Sequence, residues 1–81
     1  PNPFNPETKI KFDIPAGSTV AQTFLSVYNV AGQRVAILVN QNLQPGTYEV
    51  NWNAAEYPSG VYFYTLKTGD YIQTRKMVLI K

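Results

Sequence analysis

Polar and apolar residues alternate with a period of two along much of this chain. The stretches "KIKFDI" and "TYEVNW" show this alternation, while "TFLSVYNV" and "VYFYTLK" are β-prone runs of branched and aromatic residues with large side chains on both faces. Successive side chains of a strand point to opposite faces of a sheet, so each stretch predicts a strand with one buried face. The residues predicted to form the core on these faces are Ile10, Phe12, Ile14, Leu25, Val27, Tyr48, Val50, Trp52, Tyr62, Tyr64 and Leu66.

Turn signals separate the strands at intervals of about 8 to 12 residues. They include Pro15-Ala16-Gly17, the segment Asn29 to Gln33, a Pro-Gly pair at positions 45 and 46, and "TGD", where Gly69 is expected to adopt a positive φ. "RVAILVN" and "YIQTRKMVLI" add two further strands, the last of them long enough to bend or bulge. No segment shows the 3.6-residue period of a helix.

The spacing of these strands predicts the fold class. Six or seven short strands separated by turns favour an all-β fold, a small antiparallel immunoglobulin-like β-sandwich of about seven strands. With 81 residues the chain is one domain, residues 1–81, of which residues 8–81 are expected to form the sandwich. The chain has no cysteine, so its apolar residues must build the core without a disulfide.

Prolines dominate the start of the chain. "PNPFNP" places three of them in the first six residues. Proline cannot donate to a sheet ladder and favours extended geometry in the residue before it. Residues 1–7 are therefore predicted to form a stiff lead-in, with Phe4 covering one end of the core. No signal peptide is recognisable at the start, so we expect one further upstream and interpret the sequence as a fragment or a processed product.

Composition argues against several classes of function. Without histidine or cysteine the chain has no His-dependent triad, no thiol nucleophile and no ordinary zinc site. The five carboxylates lack calcium-loop spacing, and the five glycines occur singly. We predict no catalytic residue, metal, cofactor or small-molecule substrate, and hence no enzyme. A net charge of +2 does not indicate nucleic acid as a partner, and no apolar run approaches the ~20 residues of a membrane span.

Three ordered stretches, "PNPFNPETKIKFDIP", "VYNVAGQRVAILV" and "YPSGVYFYTLKTGDYIQTRKMVLIK", extend together from Pro1 to Lys81. They resemble the C-terminal sorting domain of the type IX secretion system. They also resemble the related immunoglobulin-like domain of flagellar hook-capping proteins. The residues that the resemblance assigns to recognition and sorting are Asn2, Pro3, Phe4, Asn5, Pro6, Pro58, Ser59, Gly60, Lys76, Met77, Val78, Leu79, Ile80 and Lys81.

The resemblance implies an extracellular, non-catalytic domain at the end of a larger secreted bacterial protein. Such domains are recognised by an outer-membrane export machinery, and they are often cleaved or attached at the cell surface. The resemblance implicates the terminal segment 75–81 in that recognition.

Two alternatives remain open at this stage. "KMVLIK" is apolar, β-prone and free of proline, so it must be buried, paired in a sheet or offered to a partner. A partner strand would suit a structural subunit of an extracellular homopolymeric filament or adhesin. A weaker alternative is a carbohydrate-binding appendage, using Trp52, Tyr48, Tyr57, Tyr62 and Tyr64; only Tyr57, in a loop, is expected to be exposed.

Five lysine and arginine side chains could form a basic strip along the strands, although such side chains more often lie on a face of the sheet that is exposed to solvent. The residues concerned are Lys9, Lys11, Lys67, Arg75 and Lys76.

Overall fold

In a computed structural model, which describes residues 6–81, the chain forms six antiparallel strands. The strands are β1 (Glu7–Ile14), β2 (Ala21–Asn29), β3 (Arg34–Leu43), β4 (Gly46–Asn53), β5 (Gly60–Thr68) and β6 (Tyr71–Leu79). β1 begins at Glu7, the last residue of the predicted lead-in. The expectations for residues 1–5, including the position of Phe4, lie outside the described residues.

The strands form two sheets that pack as a sandwich. One sheet has four strands in the order β3-β2-β5-β6, and the other pairs β1 with β4. In an immunoglobulin sandwich the C′, C, F and G strands share one sheet while B and E belong to the other. The observed order β3-β2-β5-β6 corresponds to C′, C, F and G, and the pair of β1 and β4 corresponds to B and E. The predicted all-β antiparallel sandwich is confirmed, with six strands described.

The core fills the space between the two sheets. Of the residues expected there, Tyr48 and Val50 are half-buried and pack against the core, and the others are buried. Tyr48 stacks on Phe12 with ring centroids 5.4 Å apart, and its hydroxyl donates to the Gln44 carbonyl. The core also contains residues that the alternation did not assign to it: Ala54, Met77 and Leu79.

β3 departs from simple alternation. Its register against β2 shifts twice, between Leu25 and Ser26 and again between Val27 and Tyr28. Each shift leaves one extra residue on β3, as in a β-bulge. The bulges turn the pairs 35–36 and 38–39 toward the core, while Ile37 points outward with 47% of its surface exposed. β6 pairs with β5 without such a shift, so the irregularity considered for the last strand lies in β3 instead.

Short turns join the strands within the four-stranded sheet. Between β2 and β3, the side-chain oxygen of Asn29 accepts hydrogen bonds from the backbone N–H groups of Ala31 and Gln33, both 3.0 Å. Between β5 and β6, Gly69 has φ +58° while Asp70 keeps a negative φ, a pattern typical of a type II′ turn. The Pro-Gly turn after β3 carries the chain across to β4 in the other sheet. Residues 6–81 contain no helix long and apolar enough to span a membrane.

Candidate recognition site at one end of the sandwich

Three separate sequence segments meet at one end of the sandwich. β1 and β4 are antiparallel, so the start of β1 lies beside the end of β4, where Glu7 pairs with Asn53. A loop of residues 54–59 then leads into β5, whose first residue, Gly60, pairs with Leu79 near the end of β6. The strand pairing therefore places Pro6 and the segment 79–81 beside the loop that carries residues 58–60.

Hydrogen bonds hold this loop on both sides. The backbone N–H of Ala54 donates to the Pro6 carbonyl at 2.9 Å. On the other side, the backbone N–H of Lys81 donates to the Ser59 hydroxyl at 3.1 Å, and the Lys81 ammonium donates to the Ala55 carbonyl. The first and last described residues are thus both bonded to the 54–59 loop or its side chains. Residues Asn2 to Asn5 lie outside the described part of the chain.

Three aromatic rings pack together at this end, and one of them, Tyr57, belongs to the loop itself. Trp52 lies 5.6 Å from Tyr57 and 5.4 Å from Tyr62 between ring centroids, and the two tyrosines are 6.4 Å apart. The Tyr57 hydroxyl donates to the Val35 carbonyl at 2.9 Å. The prediction that Tyr57 is exposed is therefore wrong: its ring is half-buried, because it closes the gap between β3 and the loop.

The third ring sets the position of the "PSG" segment. The Tyr62 hydroxyl donates to the Pro58 carbonyl at 2.7 Å. Burial, with the neighbouring Tyr57 phenol as a second cause, raises the pKa of Tyr62 above its ordinary value of 10.0. The phenol is protonated at neutral pH and donates this hydrogen bond.

A shallow apolar cleft lies beside the loop. Its volume is about 280 Å³, and its walls are the β2–β3 turn at 29–31, Val35 and the segment 57–62. Val30, with 74% of its surface exposed, stands at its rim. The cleft joins two of the stretches on which the resemblance rests, "VYNVAG" and "YPSGVY", on one surface.

The side chains of the terminal segment 76–81, which the resemblance assigns to recognition, divide into two sets. Met77 and Leu79 are buried in the core, so they are not available at the surface. Lys76 and Val78 lie opposite Phe63 and Val61 and point away from the core. Beyond β6, Ile80 and Lys81 are exposed. Of the six residues 76–81, two are therefore part of the core and four lie outside it.

The five cations considered for a basic strip do not share one face. Lys9, Lys11 and Arg75 line a groove together with Asp13. Lys67 and Lys76 lie on the outer side of the four-stranded sheet. Lys9 also approaches Glu49 at 4.0 Å, but both side chains are largely exposed, so this ion pair adds little stability.

Two hydrogen-bonding groups at this end, the N–H of Ala54 and the carbonyl of Ala55, could not be predicted from the sequence. Both belong to the main chain, which is the same in every residue, so the residue type does not indicate them. Only the turn residues around "NAAEYPSG" hinted that a loop with specific hydrogen bonds lies here.

No curated protein and no solved structure matches the chain. A family model does: the one described as "Secretion system C-terminal sorting domain" matches residues 1–81, the whole sequence. The match includes the three segments that the fold brings to one end of the sandwich. The chain therefore belongs to the family of secretion system C-terminal sorting domains, as its resemblance predicted.

Proposed function

We propose that this domain is a non-catalytic signal that directs a larger secreted bacterial protein through the type IX secretion system to the cell surface. The observation that carries the proposal is the meeting of three segments at one end. The Pro6 carbonyl accepts a hydrogen bond from Ala54 of the 54–59 loop, and the Ser59 hydroxyl of the same loop accepts one from Lys81. The family match covers all of these residues.

In this proposal the export machinery binds the exposed residues at this end of the sandwich. Pro58, Ser59, Ile80 and Lys81 are exposed there. The hydrogen bonds to Pro6 and Lys81 and the three packed rings fix the loop in place. A pre-organised loop loses little conformational entropy on binding, so a small surface can still be recognised.

The proposal is tested by fusing residues 1–81 behind a signal peptide and a reporter in a cell that has the type IX system. We expect the reporter outside the cell or on its surface. A folded fusion that stays in the periplasm would contradict the proposal. The reporter with the signal peptide alone is the control.

A second experiment tests the loop end itself. Ser59→Ala and Lys81→Ala each remove a hydrogen bond at an exposed position, and we expect both to reduce export without changing the melting temperature much. Lys11→Ala, an exposed lysine on β1, is the matched control and should export normally. Export of all three variants at the wild-type level would remove this end from the recognition surface.

A filament or adhesin subunit is the second candidate. Among the described residues, β1 and β4 form a sheet of only two strands, so each has one unpaired edge. Unpaired edges accept strands from other chains. Electron microscopy of the purified domain tests this candidate, since a strictly monomeric species at high concentration would eliminate it.

Carbohydrate binding ranks below both candidates, because Trp52, Tyr57 and Tyr62 pack against one another. Unchanged tyrosine and tryptophan fluorescence across a panel of glycans would remove it.

A further inference from the structure

The outer face of the four-stranded sheet is rich in large apolar side chains. Directly paired residues of antiparallel strands point to the same side of a sheet. Phe24 lies beside Lys67, which pairs with Ile72; Tyr28 lies beside Phe63. All of these point away from the core. The large apolar residues on this face are Phe24, Tyr28, Ile37, Val61, Phe63, Ile72 and Val78.

These side chains pack against one another and form a continuous layer on the sheet. Ser26 shows this: it faces outward, opposite Ile37 and Thr65, yet only 4% of its surface is exposed. Its neighbours on the sheet cover it. Ile37 and Ile72, on the two edge strands, are 47% and 61% exposed. A continuous exposed apolar surface on a small domain is typical of an interaction site.

Charge on this face has one sign. Arg34, Lys67 and Lys76 point outward from β3, β5 and β6. The five carboxylates of the chain all lie within the described residues, and none is on this face. Glu7, Asp13 and Glu49 are on β1 and β4, Glu56 is in the 54–59 loop, and Asp70 is in the β5–β6 turn.

The opposite sheet has a different outer surface. On β1 the outward residues are Glu7, Lys9, Lys11 and Asp13, and on β4 they include Thr47 and Glu49. Charges of both signs occur on this face of β1 and β4, and none of the described outward residues of these two strands is a large apolar one. Such a face is typical of a solvated surface.

We propose that the outer face of the four-stranded sheet docks an acidic protein surface that carries apolar side chains. The proposal rests on the proposed function and deepens it: the acidic surface belongs to the protein machinery that exports the domain. The link is the terminal segment, since Lys76 and Val78 are the members of that segment that point onto this face.

Other occupants fit the face less well. A second copy in face-to-face contact would place three cations against three cations. Single-stranded nucleic acid needs ring faces free for stacking, whereas Phe24, Tyr28 and Phe63 are half-buried. A lipid surface favours apolar residues that penetrate it, whereas this layer lies on a flat sheet whose most exposed members are at its two edges.

The size of the face favours a reversible contact. Four strands about 4.8 Å apart and roughly seven residues of about 3.4 Å each give a plane of roughly 450 Å². A stable interface takes about 800 Å² from each partner. We therefore expect weak, salt-sensitive docking.

Charge reversal on this face tests the proposal in the exported fusion. Lys67→Glu with Lys76→Glu should lower the exported fraction about tenfold or more, and Lys67→Arg with Lys76→Arg should keep it. The matched control is Lys9→Glu with Lys11→Glu, two exposed lysines of the other sheet, which should export normally. Melting temperatures confirm that each variant is folded.

The outcomes separate this proposal from the proposed function. If the wild-type fusion is not exported, the proposed function fails first. If it is exported and the Lys67/Lys76 reversal exports equally well, or the control pair loses export to the same extent, the docking proposal is overturned alone. Should the reversal unfold the domain, Ile72→Ser replaces it and should also lower export, with Val20→Ser as control because Val20 is 56% exposed and lies in the loop between β1 and β2.

Photo-crosslinking identifies the class of partner. A photoreactive residue at position 72 should give a protease-sensitive adduct during export, and the Lys67/Lys76 reversal should abolish it. The same residue at position 20 should give none. A protease-resistant adduct with lipopolysaccharide or nucleic acid, or an adduct of the chain with itself, would overturn the proposal.

Discussion

Trp52 joins the core to the candidate site. Only 3% of its surface is exposed, and its ring contacts Tyr57 of the 54–59 loop and Tyr62 of β5. The loop carries the "PSG" segment, so the position of an exposed motif depends on a buried indole. Loss of the indole would therefore disturb both the core and the position of this loop.

Truncation of this ring tests its role in the core. Trp52→Ala should lower the free energy of unfolding by about 3–5 kcal/mol, a large share of the stability of a small domain. Glu49→Ala, on the outer face of the same strand, should change it by less than about 0.5 kcal/mol. Chemical denaturation followed by circular dichroism measures both. Equal effects of the two variants would contradict the burial of the indole.

Tyr62 should make stability depend on alkaline pH. Because its pKa is raised in the folded state, the folded protein holds the phenolic proton more tightly than the unfolded chain. The resulting stabilisation is complete below pH 10, the ordinary value, and is lost as the pH rises through the folded pKa. Tyr62→Phe should cost about 0.5–1.5 kcal/mol near neutral pH and flatten this alkaline loss.

Denaturation midpoints of wild type and Tyr62→Phe at neutral and alkaline pH measure the difference. Other tyrosines titrate in the same range, so the comparison rests on the difference between the two proteins. An identical decline in both would show that Tyr62 does not contribute.

At the level of single residues, alternation predicts burial well within strands. Ile10, Phe12 and Leu25 follow it. It predicts loop residues poorly, because no period constrains them, and Tyr57 is the example. Met77 and Leu79 alternate with residues that point outward, so the same rule accounts for their burial.

Among the elements, the β5–β6 hairpin depends on one backbone conformation. Gly69 has φ +58°, and a Cβ there would meet only the Ala21 side chain at an ordinary 3.9 Å. The free-energy cost of a substitution at Gly69 therefore comes from the backbone conformation and not from a clash with neighbouring residues.

Substitution at position 69 measures that cost. Gly69→Ala should destabilise the domain by about 1–2 kcal/mol. Gly69→Asn should cost less, because asparagine tolerates a positive φ better. Urea denaturation of the two variants provides the comparison. An alanine variant as stable as the asparagine variant would contradict the proposed turn geometry.

Elements could be located from the sequence more readily than their irregularities. "TGD" predicted a tight hairpin with a positive φ at Gly69, and the structure confirms both. "VAILV" predicted a strand but not its two bulges. An unbroken apolar run carries no period, so which residues face the core is decided by packing against the other sheet.

For the molecule as a whole, sequence patterns gave the sandwich but not the meeting of its ends. Strand order decides that Pro6, the 54–60 region and Lys81 come together, and strand order depends on contacts distant in the sequence. The same holds for the outer face of the four-stranded sheet. Its one-sided charge becomes visible only when β2, β3, β5 and β6 are placed side by side.

The most direct measurement compares how much reporter crosses the outer membrane in paired strains, one with the type IX system and one lacking it. The reporter carries residues 1–81 at its end, and its folding is checked in both strains. The account predicts extracellular reporter only when the system is present. Equal amounts outside both strains, or none outside either, would contradict it.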